Sequence, residues 1–223
     1  MRFLRAQGIS LFFGAILLAS LIGQSFAGQH QFNAEAIEHH SNTYTWWRYV
    51  TSSEFGGDIF ENWQSEFLQF FLYILATVWL VERGSSESKS LGDAGLMSDQ
   101  SQFVRGYAKQ GSPRWARAEG LKRRVYENSL GLAMLFCFLG SWLGQSVTDW
   151  RAYNHDQLDH KSSPISWGEY WANADFWDRS LQNWQSEFLA IGTMAVFTIY
   201  LRQRGSPESK PVGAPHDETG SSN

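Results

Sequence analysis

Two carboxylates stand in identical surroundings. Glu66 lies in Asn62-Trp63-Gln64-Ser65-Glu66-Phe67-Leu68, and Glu187 in Asn183-Trp184-Gln185-Ser186-Glu187-Phe188-Leu189, 121 positions further on. At helical spacing Asn62, Ser65 and Glu66 share a face, and so do Asn183, Ser186 and Glu187. Two such faces brought together in a poorly solvated place can share a proton between the carboxylates or hold a cation. Gln24-Ser25 and Gln145-Ser146 end two apolar runs at the same offset. The expected polar vestibule is therefore Gln24, Ser25, Asn62, Ser65 and Glu66, with Gln145, Ser146, Asn183, Ser186 and Glu187 opposite. His39 and His160 are weaker candidates, matched by the same offset. His39-His40 with Glu35 and Glu38 offers metal-type ligands, but the counterpart set contains Lys161 beside Asp156, Asp159 and His160. A solvated loop is the plainer reading, so no metal site is assigned.

The structural account of the motif competes with the chemical one. Taken as an N-cap, Asn62 or Asn183 would bond a free N–H of the first turn. Trp63 or Trp184 would then sit at headgroup level. The acid would complement the positive helix end, and Arg83-Gly84 and Arg204-Gly205 would close the far end.

The elements that carry these residues recur as well. The offset maps Gly23-Gln24-Ser25, Arg83-Gly84-Ser85 and Glu87-Ser88-Lys89 onto later copies without a gap, which reads as one unit written twice. Four apolar segments follow, at about 9–26, 63–82, 129–147 and 184–203. With their flanks they approach the ~20 residues that cross a bilayer. The fold class expected is an all-α membrane protein. Its four transmembrane helices form two parallel two-helix repeats, with short interfacial helices in the outer loops.

Residues 1–90 form the first repeat, 91–121 a cytoplasmic linker, 122–211 the second repeat and 212–223 a disordered tail. Arg83, Lys89, Arg105, Lys109, Arg114, Arg117, Lys122, Arg123 and Arg124 crowd the centre, and Arg2 and Arg5 the start. The positive-inside rule then puts both termini and the linker in the cytoplasm. A competing reading takes the first segment as a secretory signal cleaved after Ala27. Its register with an internal segment favours retention. In the outer loops, Ser166-Trp167-Gly168-Glu169 has capping-box spacing. Tyr170, Trp171, Ala174, Trp177 and Leu181 continue it as one amphipathic helix, with a counterpart over 45–60 that Gly56-Gly57 weakens.

The net charge of −4 gives no case for nucleic acid. A lone Cys137 excludes an internal disulfide. There is no His-Glu-x-x-His, no Gly-x-Ser-x-Gly and no phosphate loop. No catalytic residue or cofactor is assigned.

The Gly-Gln-Ser segment end and the Asn-Trp-Gln-Ser-Glu-Phe-Leu…Arg-Gly-Ser-x-Glu-Ser-Lys block resemble a bacterial family of integral membrane proteins known as a domain of unknown function. The resemblance covers both copies, nearly the whole chain except linker and tail. It implies a bacterial inner-membrane protein of four spans, and no activity. The first copy departs from the second at Gly28–Gln31, where Asp149-Trp150-Arg151 has no counterpart. The functional expectation is a non-catalytic envelope scaffold or sensor-like partner, in contact with the lipid bilayer and with another protein or a second copy of itself. The alternative is a small channel or transport module with Glu66 and Glu187 at its mouth. A membrane enzyme or metal-binding protein ranks third.

Overall fold

The computed structural model describes residues 6–220 and is helical throughout its regular structure. Seven α-helices are described: α1 (Gly8–Glu38), α2 (Trp46–Val50), α3 (Ser53–Trp79), α4 (Gly120–Glu127), α5 (Ser129–Asp159), α6 (Trp167–Tyr170) and α7 (Ala174–Tyr200). Short 3-10 turns at Leu91–Asp93, Arg105–Tyr107 and Arg114–Arg117 lie between α3 and α4. At 1.5 Å per residue the 31-residue α1 and α5 are about 46 Å long. Both are long and apolar enough to cross a membrane. The chain divides into two compact units, one from residues up to Phe60 with Leu143–Phe176, the other from Glu61–Trp142 with the residues from Trp177 onward.

The starts of α3 and α7 correct the sequence reading. Neither helix begins at the Asn-Trp-Gln-Ser-Glu motif. Ser52 Oγ accepts from Phe55 N–H (3.4 Å) and opens α3, and Asn173 Oδ1 accepts from Asp175 N–H (2.9 Å) and opens α7. Asn62 and Asn183 therefore lie inside their helices and cap nothing. The single amphipathic helices expected over 45–60 and from Tyr170 to Leu181 are each broken in two. Thr51 Oγ1 donates back to the Trp47 and Arg48 carbonyls, which closes α2 before α3 starts. Gly56 and Gly57 are helical. A Cβ at Gly57 would collide with Asp149 Oδ1, and one at Gly56 would press on Thr148. They permit close approach of α5 to α3 rather than weakening the helix.

In the first unit, the short helices are tied to the long ones by bonds that recur at the 121-residue offset. Asn33 Nδ2 donates to the Tyr44 carbonyl (2.9 Å) while its Oδ1 accepts from Tyr44 N–H; Asn154 does the same to Ile165. Gln29 adds a second donor to Tyr44 O, and Trp150 adds one to Ile165 O, both at 2.8 Å. The departure at Asp149-Trp150-Arg151 thus keeps one bond with different chemistry. Thr45 caps α2, and Ser166 with Glu169 forms the expected capping box at α6. The Ser166 backbone N–H, and then its hydroxyl, hold the Glu169 carboxyl below the usual carboxylate range. The Tyr49 hydroxyl lies directly against Gly28, where no Cβ fits. Burial first, then Asp58, Glu54 and Glu35, push this phenol up to about 12.

In the second unit α3 and α7 stop at Trp79 and Tyr200, short of the expected 82 and 203. Returning chain takes their last carbonyls. Lys89 Nζ and Gly95 N–H both donate to Val78 O, and Arg202 reaches Thr198 O and Ile199 O. Gly84 (φ +88°) and Gly205 (φ +83°) sit in the turns that follow, not at the helix ends. Residues 212–220, expected to lack structure, form turns around the Lys210 ammonium, which donates to Pro215 O, His216 O and Glu218 O at 2.9–3.1 Å. Burial, and then Arg202, pull this ammonium below the ordinary lysine range. Residues 221–223 of the expected tail lie outside the described residues. Replacing Lys210 with Met strands three carbonyls, so Lys210→Met opens 211–220. Limited proteolysis of wild type and variant reads this as new cleavage within that segment, with cleavage elsewhere unchanged.

Candidate functional site

The candidate residues divide between the two units. Gln24, Ser25, Gln145 and Ser146 belong to the first, and Asn62, Ser65, Glu66, Asn183, Ser186 and Glu187 to the second. In the first, Ser25 Oγ donates to Ile22 O (2.7 Å) and accepts from the Trp46 indole N–H (3.1 Å). Ser146 repeats this with Leu143 O (2.7 Å) and Trp167 (3.3 Å). Both serines are buried, so each is a partner for a loop indole. Gln24 is half-buried and Gln145 is fully buried.

In the second unit the motif forms a polar seam between α3 and α7. The Glu61 carboxylate accepts from Asn183 Nδ2 (2.7 Å) and lies 3.5 Å from the Arg179 guanidinium. Gln64 Oε1 accepts from the Trp184 indole N–H (2.8 Å), and Gln64 Nε2 donates to Glu61 O (3.1 Å). Ser65 and Ser186 donate to the carbonyls of Asn62 and Asn183 on their own helices, at 2.9 and 2.8 Å. The Glu187 carboxylate is within hydrogen-bonding reach of Ser65 and electrostatic reach of Glu66. Gln64 and Ser65 are fully buried. Trp142 stacks on Phe138, meets Trp177 and Trp184 edge-on or tilted, and donates to Ser180 Oγ (3.3 Å).

Of the partners in this seam, Glu61 was not singled out from the sequence, and Gln64 was read as part of the repeated heptad but not placed in the vestibule. Gln64 carried a signal, since it lies in the repeated heptad. Glu61 carried none, because Gln182 stands at its offset position. Asn33 and Asn154 were also missed, although the offset pairs them.

His39 and His160 come together in the first unit, with ring centroids 6.1 Å apart. His160 Nδ1 lies 3.3 Å from an Asp156 carboxylate oxygen, and Ser41 Oγ donates to Asp159 (3.2 Å). Among the described residues no three His, Cys, Asp or Glu side chains are grouped to hold a metal.

A family model described as Domain of unknown function (DUF6766) matches residues 1–221, and the chain belongs to that family. Comparison with curated proteins and with solved structures finds no match.

The seam makes Gln64 the side chain whose loss is felt. Gln64→Leu leaves the Trp184 N–H without its acceptor and should cost about 1–3 kcal/mol. Ser186→Ala removes only a bond within its own helix and should cost about 0.5 kcal/mol or less. Denaturant unfolding in detergent, followed by Trp fluorescence, checks the order of the two.

Proposed function

We propose that this family member is a four-span protein of the bacterial inner membrane, built from a duplicated two-span unit, and that it works as a non-catalytic scaffold or sensor-like partner. The observation that carries the membrane reading is an inverted distribution of side chains. The fully buried large side chains include Gln64 and Gln145, and polar residues outnumber apolar ones among those described as buried. Meanwhile large apolar residues stand outward along the long helices, among them Ile9 (75% exposed), Phe136 (79%) and Leu189 (71%). Water penalises such a surface. Lipid accepts it, and polar side chains then bond helix to helix, as Gln64–Trp184 and Glu61–Asn183 do.

Several observations support the finer reading. Helices α1 and α5 have bounds exactly one offset apart, and so do α3 and α7. The Trp–Ser, Asn–backbone and Ser-capped turn bonds recur at the same offset. The basic residues between α3 and α4 favour a cytoplasmic centre and cytoplasmic termini. The scaffold reading rests on the aromatic loop regions, where Trp47, Trp167 and Trp177 remain exposed.

Single cysteines placed at Ser53, Ser101 and Ser162 in a Cys137→Ser background test the topology. An impermeant thiol reagent applied to whole cells with a permeabilised outer membrane should label positions 53 and 162 but not 101. Labelling of 101 alone overturns the orientation, and release of the protein by alkaline carbonate overturns the membrane assignment.

A second reading keeps the Glu66–Glu187 pair as a cation site at the mouth of a pathway, supported by the electrostatic reach between the two carboxylates. Cation flux into liposomes should then fall about tenfold in Glu66→Gln/Glu187→Gln. Equal flux in wild type and double variant leaves the scaffold reading alone.

A further inference from the structure

Two turns of like sequence and like backbone end differently. After α3, Glu82 N–H donates to Ser88 Oγ (2.8 Å) and Glu87 N–H to Ser85 Oγ (3.1 Å). After α7, Gln203 N–H donates to Ser209 Oγ (2.9 Å) and Glu208 N–H to Ser206 Oγ (3.2 Å). Gly84 and Gly205 share the same left-handed conformation. The first turn is occupied by the chain's own later residues. Asp217 sets a carboxylate 3.6 Å from the Arg83 guanidinium, and Thr219 Oγ1 accepts from Gly84 N–H (2.8 Å). Gly220 N–H donates to Ser85 O, and a Cβ on Gly84 would strike His216 O.

The second turn offers the same donors to open space. Nothing lies within 4 Å of a Cβ built on Gly205. A cavity of about 650 Å³ borders Ser86, Arg204, Gly205, Ser206 and Lys210, within the usual range of ligand sites. Arg204 makes no ion pair among the described residues. The first turn shows what such donors accept: an anionic group on the arginine and an oxygen on the glycine N–H. One rim of the second cavity is apolar, with Pro207, Pro211 and an exposed Val212. Leu201, at the end of α7, is exposed as well.

We infer that this cavity binds a phosphate group, carried by an anionic phospholipid headgroup or by a soluble phosphate ester, on the Arg204 guanidinium and the Gly205 N–H. Arginine matches phosphate oxygens in two-point geometry, and the Gly205 N–H adds a single backbone donor beside it, because the next N–H, of Ser206, already donates to Gln203 O. The apolar rim suits an acyl chain leaving the headgroup. The lipid arm rests on the membrane reading, and the soluble arm does not.

The test uses the full chain purified in non-ionic detergent and native mass spectrometry. The probes are phosphatidylglycerol, phosphatidylcholine, glycerol 3-phosphate and the acidic peptide Asp-Glu-Thr-Gly. Wild type should retain phosphatidylglycerol over phosphatidylcholine, and Arg204→Gln should lose about tenfold in retention. Arg83→Gln should retain it unchanged, because Arg83 already faces Asp217. Displacement of the lipid by glycerol 3-phosphate assigns the soluble source; failure to displace it assigns the headgroup. Equal retention by wild type and Arg204→Gln, with identical circular dichroism, overturns the site. Binding of the peptide without any phosphate binding overturns it too. Carbonate extraction of the same variants stays a separate readout, so loss of the phosphate site does not count against the membrane assignment.

Discussion

The structure depends on placing polar side chains where helices meet. A buried amide or hydroxyl without a partner costs several kcal/mol in an apolar setting, on the order of the whole net gain from folding a small unit. Most such groups here have found one, and Gln145 is the exception: its amide is fully buried and neither its oxygen nor its nitrogen meets a hydrogen-bond partner among the described residues. Gln64 takes the Trp184 indole, Glu61 takes Asn183, and Ser85 meets Thr198 at 3.0 Å. In the first unit Asn33 and Asn154 close bidentate pairs with the backbone that leads into each short helix. These bonds need both partners at fixed depth along their helices. That requirement sets helix register more sharply than apolar contact, which tolerates sliding.

The same requirement explains what was legible in the sequence. Helix types and approximate places followed from apolar runs, and α1 and α5 lie where the runs predicted them. Their length did not follow, because both helices continue through polar residues to Glu38 and Asp159. The starts of α3 and α7 were misplaced for a similar reason. Asn62 and Asn183 have the right chemistry for a cap and stand just before apolar runs, but the helices had already begun at Ser53 and Ala174. What decides between two cap-competent residues is the turn upstream. There Thr51 folds back on α2 and leaves Ser52 to open the next helix. Gly56-Gly57 misled in the opposite direction. Propensity penalises glycine in a helix, while a crossing helix rewards it, and the crossing partners Thr148 and Asp149 are almost a hundred residues away.

The candidate site was legible in composition and not in arrangement. The offset identified Ser25, Gln64 and Ser65 as a matter of identity alone. It could not say that Ser25 would serve a loop indole while Gln64 served a helix–helix bond. Glu61 stood outside the pattern altogether, since a carboxylate there has a glutamine at the corresponding position. Identity across an offset marks where the chain solves one problem twice. It is silent on residues that join one solution to the other.

The differences at that offset are therefore the more informative part. Gln29 presents an amide and Trp150 an indole, and each still delivers one N–H to one carbonyl, at the same distance. Such a change preserves the fold and tells nothing of activity. Trp142 is another matter. Leu17, Leu21 and Gly56 stand at the positions that match Phe138, Trp142 and Trp177, so the cluster in which Phe138, Trp177 and Trp184 meet Trp142 has no counterpart at that offset. The turns after α3 and α7 diverge in the same sense, one filled by the chain and the other open. Structure is served where the halves agree or substitute for each other. Where the two stretches part, at the aromatic cluster and at the open turn, the difference lies outside the bonds that the 121-residue offset repeats.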